Sequence, residues 1–407
     1  MTAPALPRPV GPPRSTVGLA EVLELFRRDQ AELTRADVIG LTGLSRSTVN
    51  LRLEALLGAG LLVPVAEEAR TRGRPAGQFA FNRDRGVLLV ADVGATGARL
   101  ALCDLKGAVQ AERTVACSVT DGPEPVLGVV RSVFADLLAD AGRPATDVLG
   151  VGIDVPGPVD AAAGLVVSPP IMTGWDRYDI PGWFGQHYDC PVVVEKDANA
   201  MALGEQRAHH PEAQHLLFVK AGTGIGTGII AGGQLHHGAD GAAGDLGHVH
   251  ITVLDVEQEP DCRCGNSGCV EAYAGGWALV RDLRAAGHDV HDVDSAVALV
   301  RTGDDTAVRV ARRAARILGE AIADAVNLLN PRAVVVGGQL ATTDQILFAG
   351  IREMVYRRSL PLATRNLQIV RSELGPHAGV AGMALLVADR IFCAERVDTL
   401  VASALAD

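Results

Sequence analysis

The feature that most constrains this chain is a local motif that occurs twice. Residues 86–107 (GVLLVADVGATGARLALCDLKG) and 216–233 (LLFVKAGTGIGTGIIAGG) each read as an apolar strand, a Gly-rich turn and a second strand. The turns carry Asp92-x-Gly94-x-Thr96 and Gly222-Thr223-Gly224-x-Gly226. A dinucleotide-binding fold needs a helix directly after its glycines, but Ile229-Ile230 continues a strand. No Gly-Lys-Ser/Thr triplet follows either, so a Walker loop is excluded. Either hairpin alone is compatible with an ordinary tight turn. Together they read as an internal duplication, with both turns aimed at one phosphate chain between two lobes.

At 407 residues the chain is too long for one ordinary core. It is 48% hydrophobic and 21% charged, which excludes wholesale disorder. No run approaches the ~18 apolar residues of a membrane span, and five Pro in the first 13 residues leave no secretory apolar core. The expected organisation is a disordered tail over 1–13, a head over 14–83, a first lobe over 84–200 completed by a helix over 379–396, and a second lobe over 201–378. Charge divides the same way. Residues 1–83 hold 11 Arg against 8 acidic residues, a balance of +3, whereas the whole chain stands at -11. A mildly basic head on an acidic body points to nucleic acid as a partner of the head alone.

Within the head, Leu19, Val22, Leu23 and Phe26 recur at helical spacing. A short helix over Arg35–Leu41 ends at Thr42-Gly43, and a third begins at Ser45, a good N-cap, with Val49, Leu53, Leu56 and Leu57 on one face. Helix, tight Gly turn, helix is the arrangement that lays a second helix in a DNA major groove. Arg46, Ser47, Thr48, Asn50 and Arg52 are left as candidate DNA contacts. Arg and Asn suit base edges, whereas Ser and Thr suit phosphates. LLVPV and QFAFN read as a β-hairpin whose tip carries Arg70, Arg72 and Arg74. Arg72 and Arg74, in an Arg-Gly-Arg-Pro run, suit a narrow A·T minor groove. The whole is expected to be a winged helix-turn-helix. A bundle for subunit contacts and a solvated hairpin tip are the alternatives.

In the body, VVVEKDANAMALGE runs from a buried strand into a helix, with Asp197 at the junction. A carboxylate there can take a proton from a hydroxyl, or can simply cap the helix. Only Lys106, Lys196 and Lys220 are lysines, so Lys196 beside Asp197 draws notice. Its ammonium can favour the charged carboxylate, receive an anionic ligand, or point out of the cleft. Seven Cys is an odd number, and Cys262-x-Cys264-x4-Cys269 fits a metal site in a reducing cytoplasm better than a disulfide framework. With His248 they make a closed set for structural Zn²⁺. His250 is the competing ligand, and on a strand it would face the other way. Residues 307–329 read as an amphipathic helix ended by Asn330-Pro331. In the following strand AVVVGG, Gly337-Gly338 suit either a nucleotide base or a plain turn.

These residues together resemble the ROK family (repressors, open reading frames, kinases). The resemblance spans residues 87–395 and rests on Asp92-x-Gly94-x-Thr96, Pro156-Gly157-Pro158, EKDANAMALGE, GTGIGTG, Gly247-His248 and CRCGNSGCVE. It implies a two-lobed actin-like ATPase/sugar-kinase fold, an α/β class, with a sugar cleft and structural zinc. With the head in front it implies a regulator acting as homodimer or homotetramer on palindromic double-stranded operators. By the same resemblance Asp197 matches the catalytic base of the kinases. Gly157, Lys196, Asp245, His248 and Glu271 fall at sugar-side positions. Asp92, Gly94, Thr96, Gly222, Thr223, Gly224 and Gly226 match the phosphate turns, with ATP and Mg²⁺ as cofactors if phosphoryl transfer survives.

The chain departs from the kinase pattern on the sugar side. Lys196 stands where an amide is usual, Ile171 where a second amide is usual, and Asp245 where a Glu is usual. The expectation is therefore a cytoplasmic regulator that senses a sugar or sugar derivative, ahead of a sugar kinase or a bifunctional protein.

Overall fold

The computed structural model describes residues 17–28, 32–65, 77–253 and 257–404. They fall into two compact units. One holds residues up to Val87 together with 104–106 and 388–407; the other holds Leu88–Cys103 and Gly107–Val387.

The first unit begins with α1 (Leu19–Arg28), which buries Val22, Leu23 and Phe26 completely. After β1 (Leu33–Thr34), α2 (Arg35–Thr42) starts at a reciprocal cap. The Thr34 hydroxyl accepts the Asp37 amide and the Asp37 carboxylate accepts the Thr34 amide. Gly43 ends this helix at φ 68, a conformation that favours glycine. Helix α3 (Arg46–Gly58) is capped by Ser45, as its sequence predicts, and buries Val49, Leu53 and Leu56. Strands β2 (Leu62–Pro64) and β3 (Gln78–Phe81) pair antiparallel, and β1 completes a sheet in the order β1-β3-β2. The Arg72 and Arg74 tip lies outside the described residues.

The second unit contains two five-stranded sheets of one topology. In the first, β4 (Val87–Val93), β5 (Gly97–Cys103) and β6 (Val109–Ala116) form an antiparallel meander. Helix α4 (Pro123–Asp140) packs over β5. Strand β7 (Val148–Val155) lies beside β4, followed by a ribbon of β8 (Val159–Asp160) and β9 (Leu165–Val166), and by α5 (Ile180–Gly185). Strand β10 (Val192–Lys196) then pairs parallel to β7, giving the order β10-β7-β4-β5-β6. Helix α6 (Asp197–His209) leads to the second meander, β11 (His215–Ala221), β12 (Ile225–Ala231) and β13 (Gln234–Leu235).

Five helices follow the second meander: α7 (Val270–Ala274), α8 (Gly276–Ala285), α9 (Val293–Arg301), α10 (Asp305–Leu329) and, after β14 (Ala333–Gly337), α11 (Gln345–Arg358). Then come α12 (Pro361–Thr364) and β15 (Gln368–Arg371), and the second sheet reads β13-β12-β11-β14-β15. In both sheets the first strand of the meander sits in the middle and meets the next strand along the chain. That shared order supports the duplication read from the two glycine turns.

Alternation along β11 positions the site. Leu217, Val219 and Ala221 enter the core formed with α7–α11, while Leu216 and Phe218 face Met201 and Ala202 of α6. Lys220 is therefore in phase with the α6 side. Helix α6 lies unusually close to its neighbours, because a Cβ on Gly228 would collide with the Ala198 carbonyl and one on Gly382 with the Ala200 carbonyl.

The chain end differs from the single helix expected over 379–396. Helix α13 (Ala378–Ile391) stops, and α14 (Ala394–Ala404) packs on α1 and α3 with Val397 and Val401 buried. Phe392 lies at the break and is buried. Its ring meets Phe81 edge-on at 5.4 Å, and the Arg27 guanidinium lies 4.6 Å from its centroid. The last helix thus belongs to the core of the head. Among the described residues no single helix is long and apolar enough to cross a membrane.

Candidate ligand cleft and metal centre

A cavity of about 360 Å³ in the second unit collects almost every sugar-side and phosphate-side residue singled out from the sequence. Asp92, Gly94 and Thr96 enter from the first glycine turn, and Gly222, Thr223, Gly224 and Gly226 from the second. Gly157, Lys196, Asp197, Asp245, His248, Glu271 and Gly338 complete its walls. Gly337 does not line it. A Cβ there would meet the Phe218 ring and Ser372, so its glycine serves packing inside the sheet.

Asp197 is the first residue of α6, one place inside the cap position, which Lys196 takes without a side-chain cap bond. Its Oδ1 accepts the amide of the next residue, Ala198, at 2.5 Å, while its Oδ2 pairs with the Lys220 ammonium. The lysine on the candidate base is therefore Lys220. Lys196 instead donates to the Gly244 carbonyl at 3.2 Å, an oxygen that also accepts the Thr227 hydroxyl. Sequence reasoning noticed that lysines are scarce but missed this one. Its signal was available in the strand period, which sets residue 220 in phase with Leu216 and Phe218.

A second carboxylate also escaped notice. Asp154 on β7 is fully buried, and neither of its oxygens has an ordinary hydrogen-bond donor. Burial, reinforced by the Asp92 charge beside it, pushes the Asp154 carboxyl well above the usual carboxylate range. Burial raises Asp92 as well, against the pull of Lys220. Burial disfavours the Lys220 charge, yet Asp197, Asp92 and Asp154 together hold its ammonium above the ordinary lysine range. One cation thus serves three carboxyl groups. Behind them, buried Glu195 accepts the Lys196 amide at 2.8 Å and the Asn199 side-chain amide at 2.9 Å, and meets the His237 ring at 2.7 Å.

Glu271 is committed to architecture. One oxygen accepts the Ile225 amide at 2.8 Å and the other the Trp277 indole at 3.1 Å, which fastens α7 and α8 to the second glycine turn. The Thr223 carbonyl accepts the Trp277 amide from the same side at 3.0 Å.

Next to this lies a cluster of four side chains with the donor atoms for a metal ion. The ligand atoms of His248, Cys262, Cys264 and Cys269 all fall within 4.8 Å of one another. Cys262 Sγ stands 3.6 Å from His248 Nδ1, and Cys264 Sγ 3.7 Å from Cys269 Sγ. Tetrahedral coordination with Zn–S bonds near 2.3 Å sets sulfur atoms about 3.8 Å apart, so the donor set fits. Burial and the neighbouring thiols push Cys269 up to about 12. Several thiolates cannot coexist here without a cation to hold them. His248 is the histidine of the set, but not for the reason expected. It ends a 3₁₀ turn (Leu246–His248), while His250 bridges to Cys269 through its backbone and meets Glu259 at 2.9 Å.

In the head, Arg46 and Ser47 are exposed at the start of α3, and Thr48, Asn50 and Arg52 are half-buried. The Ser47 and Thr48 hydroxyls lie 2.9 and 2.8 Å from the Ser45 hydroxyl, so both are engaged at the cap. Arg46 is the freest of the five.

Three comparisons bear on this arrangement. The profile of the ROK family matches residues 89–390. The chain is 26% identical to the xylose repressor of Bacillus subtilis (strain 168) over 361 residues, covering 88% of this chain and 91% of that one. The crystal structure of a ROK family transcriptional regulator, a homolog of the E. coli MLC protein, superposes with a TM-score of 0.79 at 25% identity, over 95% of this chain and 98% of the other. That of a ROK family glucokinase from Streptomyces griseus, in complex with glucose and AMPPNP, superposes with a TM-score of 0.63 at 29% identity, over 74% of this chain and 99% of the other.

Proposed function

The chain belongs to the ROK family, and from that we propose that it is a sugar-responsive transcriptional repressor of carbohydrate metabolism. The observation that carries the reading is coverage. The repressor and the regulator structure extend over 88% and 95% of this chain, head included, whereas the glucokinase structure accounts for 74%. A kinase has no need of a base-reading helix.

In this reading the head is a winged helix-turn-helix whose α3 enters the major groove of a palindromic operator. Arg46 and Asn50 read bases, and Arg52, Ser47 and Thr48 support the phosphate contacts. Arg72 and Arg74 reach the flanking minor groove. The protein acts in the cytoplasm as a homodimer or homotetramer. His248, Cys262, Cys264 and Cys269 hold structural Zn²⁺. Zinc with four protein ligands braces the loop that carries Glu271, and it leaves no open position for activating water.

The cavity then serves recognition of a sugar. Its sugar side is Gly157, Lys196, Asp197, Asp245 and His248, with Glu271 holding the wall. A kinase reading retains one specific support, the two glycine turns and Asp197 gathered in one cavity. Against it stands the engagement of both Asp197 oxygens, one by the Lys220 ammonium and the other by the Ala198 amide. The regulator reading is tested by selecting duplexes from a random pool with the full chain. An enriched inverted repeat, lost with Arg46→Ala, supports it; recovery of no preferred sequence contradicts it.

A further inference from the structure

Granting that this cavity holds a sugar, we propose that the sugar is anionic, a sugar acid or a sugar phosphate whose negative group meets Lys196. Most charges around the cavity have a partner. Lys220 pairs with Asp197 and also faces Asp92 and Asp154, and Arg99 pairs with Glu112. Glu271 is consumed by the Ile225 amide and the Trp277 indole. Asp245 is exposed, so water hydrates its carboxylate.

Two cations of the wall lack an ion pair among the described residues, and they differ in burial: Arg263 is exposed and lies over the Trp277 ring, whereas Lys196 is buried. Lys196 is 8% exposed and lines the cavity, and the one hydrogen bond of its ammonium goes to a backbone carbonyl already shared with Thr227. Among the described residues no carboxylate forms an ion pair with it. A buried ammonium retains two further donors and a whole charge that the protein leaves unanswered. A ligand carboxylate or phosphate answers both at once, because a compact ammonium accepts either as a point charge. A neutral sugar would satisfy the donors and leave the charge uncompensated. The Gly244 carbonyl that steadies the lysine immediately precedes Asp245 and the 3₁₀ turn ending at His248, which ties this anion subsite to the sugar end of the cavity.

The test is calorimetric titration of the zinc-loaded full chain with D-glucose, D-glucuronate, D-glucose 6-phosphate and AMPPNP. The proposal expects at least one of the two anionic sugars to bind about tenfold or more tightly than D-glucose. Which of the two prevails distinguishes a carboxylate from a phosphate. The preference should vanish in Lys196→Gln and survive in Lys196→Arg, which keeps the charge. The ranking by the wild-type protein requires no variant, so it stands even if Lys196→Gln fails to fold.

D-glucose binding as tightly as both anionic sugars, with Lys196→Gln indifferent, would overturn the anion proposal while leaving the sugar-sensing reading intact. AMPPNP binding that depends on Lys196, without binding of either anionic sugar, would overturn it in favour of a nucleotide phosphate. No binding by any of the three sugars would overturn the anion proposal, and no binding across hexoses, pentoses and amino sugars would remove the sugar-sensing reading as well.

Discussion

Replacing Lys220 by Met leaves a hydrophobic stem of similar reach and removes the cation that serves Asp197, Asp92 and Asp154. Removing one partner of a fully buried ion pair costs about 3–5 kcal/mol, because the other charge stays desolvated. The Lys220 side chain keeps 20% of its exposure and borders a cavity open to water, so about 2–3 kcal/mol is the appropriate figure here. A unit of this size loses about 2–4 °C per kcal/mol, which gives about 4–12 °C in melting temperature.

The pH dependence identifies the cause. Asp154 and Asp92 have folded-state pKa values raised above their ordinary 3.8, so the folded state binds protons more tightly than the unfolded chain. Stability from these groups is full at low pH and is lost as pH rises from about 3.8 through their folded pKa values. Without Lys220 both are raised further, so the penalty of the variant should grow as pH rises above the ordinary 3.8 and through the folded pKa values. Differential scanning fluorimetry on zinc-loaded wild type and Lys220→Met across that range measures the difference at each pH. A penalty under 1 °C, or one equal at both ends, refutes the idea that one ammonium balances this carboxylate cluster.

Other consequences follow from the same geometry. Arg46→Ala should cost about 1–3 kcal/mol of discrimination at one operator position and little on random DNA, read by competition titration. Chelating the metal should abolish ligand-induced stabilisation before DNA binding fails, because the Cys262–Cys269 loop supports Glu271 and thereby the second glycine turn; both are followed on one chelated sample. Gly382→Val should cost about 3 kcal/mol or more in a denaturant melt, since its side chain would enter the Ala200 carbonyl across a tight helix crossing. Turnover of ATP with hexoses, pentoses and amino sugars should stay at background for the wild type, and sustained turnover abolished by Asp197→Ala would reinstate the kinase reading.

Much of this protein was legible in its sequence because its signals are local. Gly-rich turns between apolar runs, the Ser45 cap and the Cys-x-Cys-x4-Cys spacing each report a conformation set by neighbouring residues. What escaped was set by distant packing. No Pro or Gly marks the break between α13 and α14, where Phe392 meets Phe81, more than three hundred positions earlier in the chain. Lys196 was weighed as the neighbour of Asp197 because it adjoins it in sequence, whereas the sheet brings Lys220 to that carboxylate from another strand. Asp154 sits in an apolar run beside the Pro156-Gly157 turn, and only the fold reveals that it lies against Asp92. Gly337 and Gly338 look equivalent as a pair, yet one packs against Phe218 and the other borders the cavity.

The central claim is that a sugar held in the cavity alters how the head grips DNA. Fluorescence anisotropy of the selected duplex, titrated with the full chain with and without saturating sugars and without ATP, tests it most directly. At least one sugar is expected to change the DNA dissociation constant by about tenfold or more, which corresponds to a coupling of about 1.4 kcal/mol. A duplex affinity that no sugar moves, in a protein shown by calorimetry to bind that sugar, would contradict it.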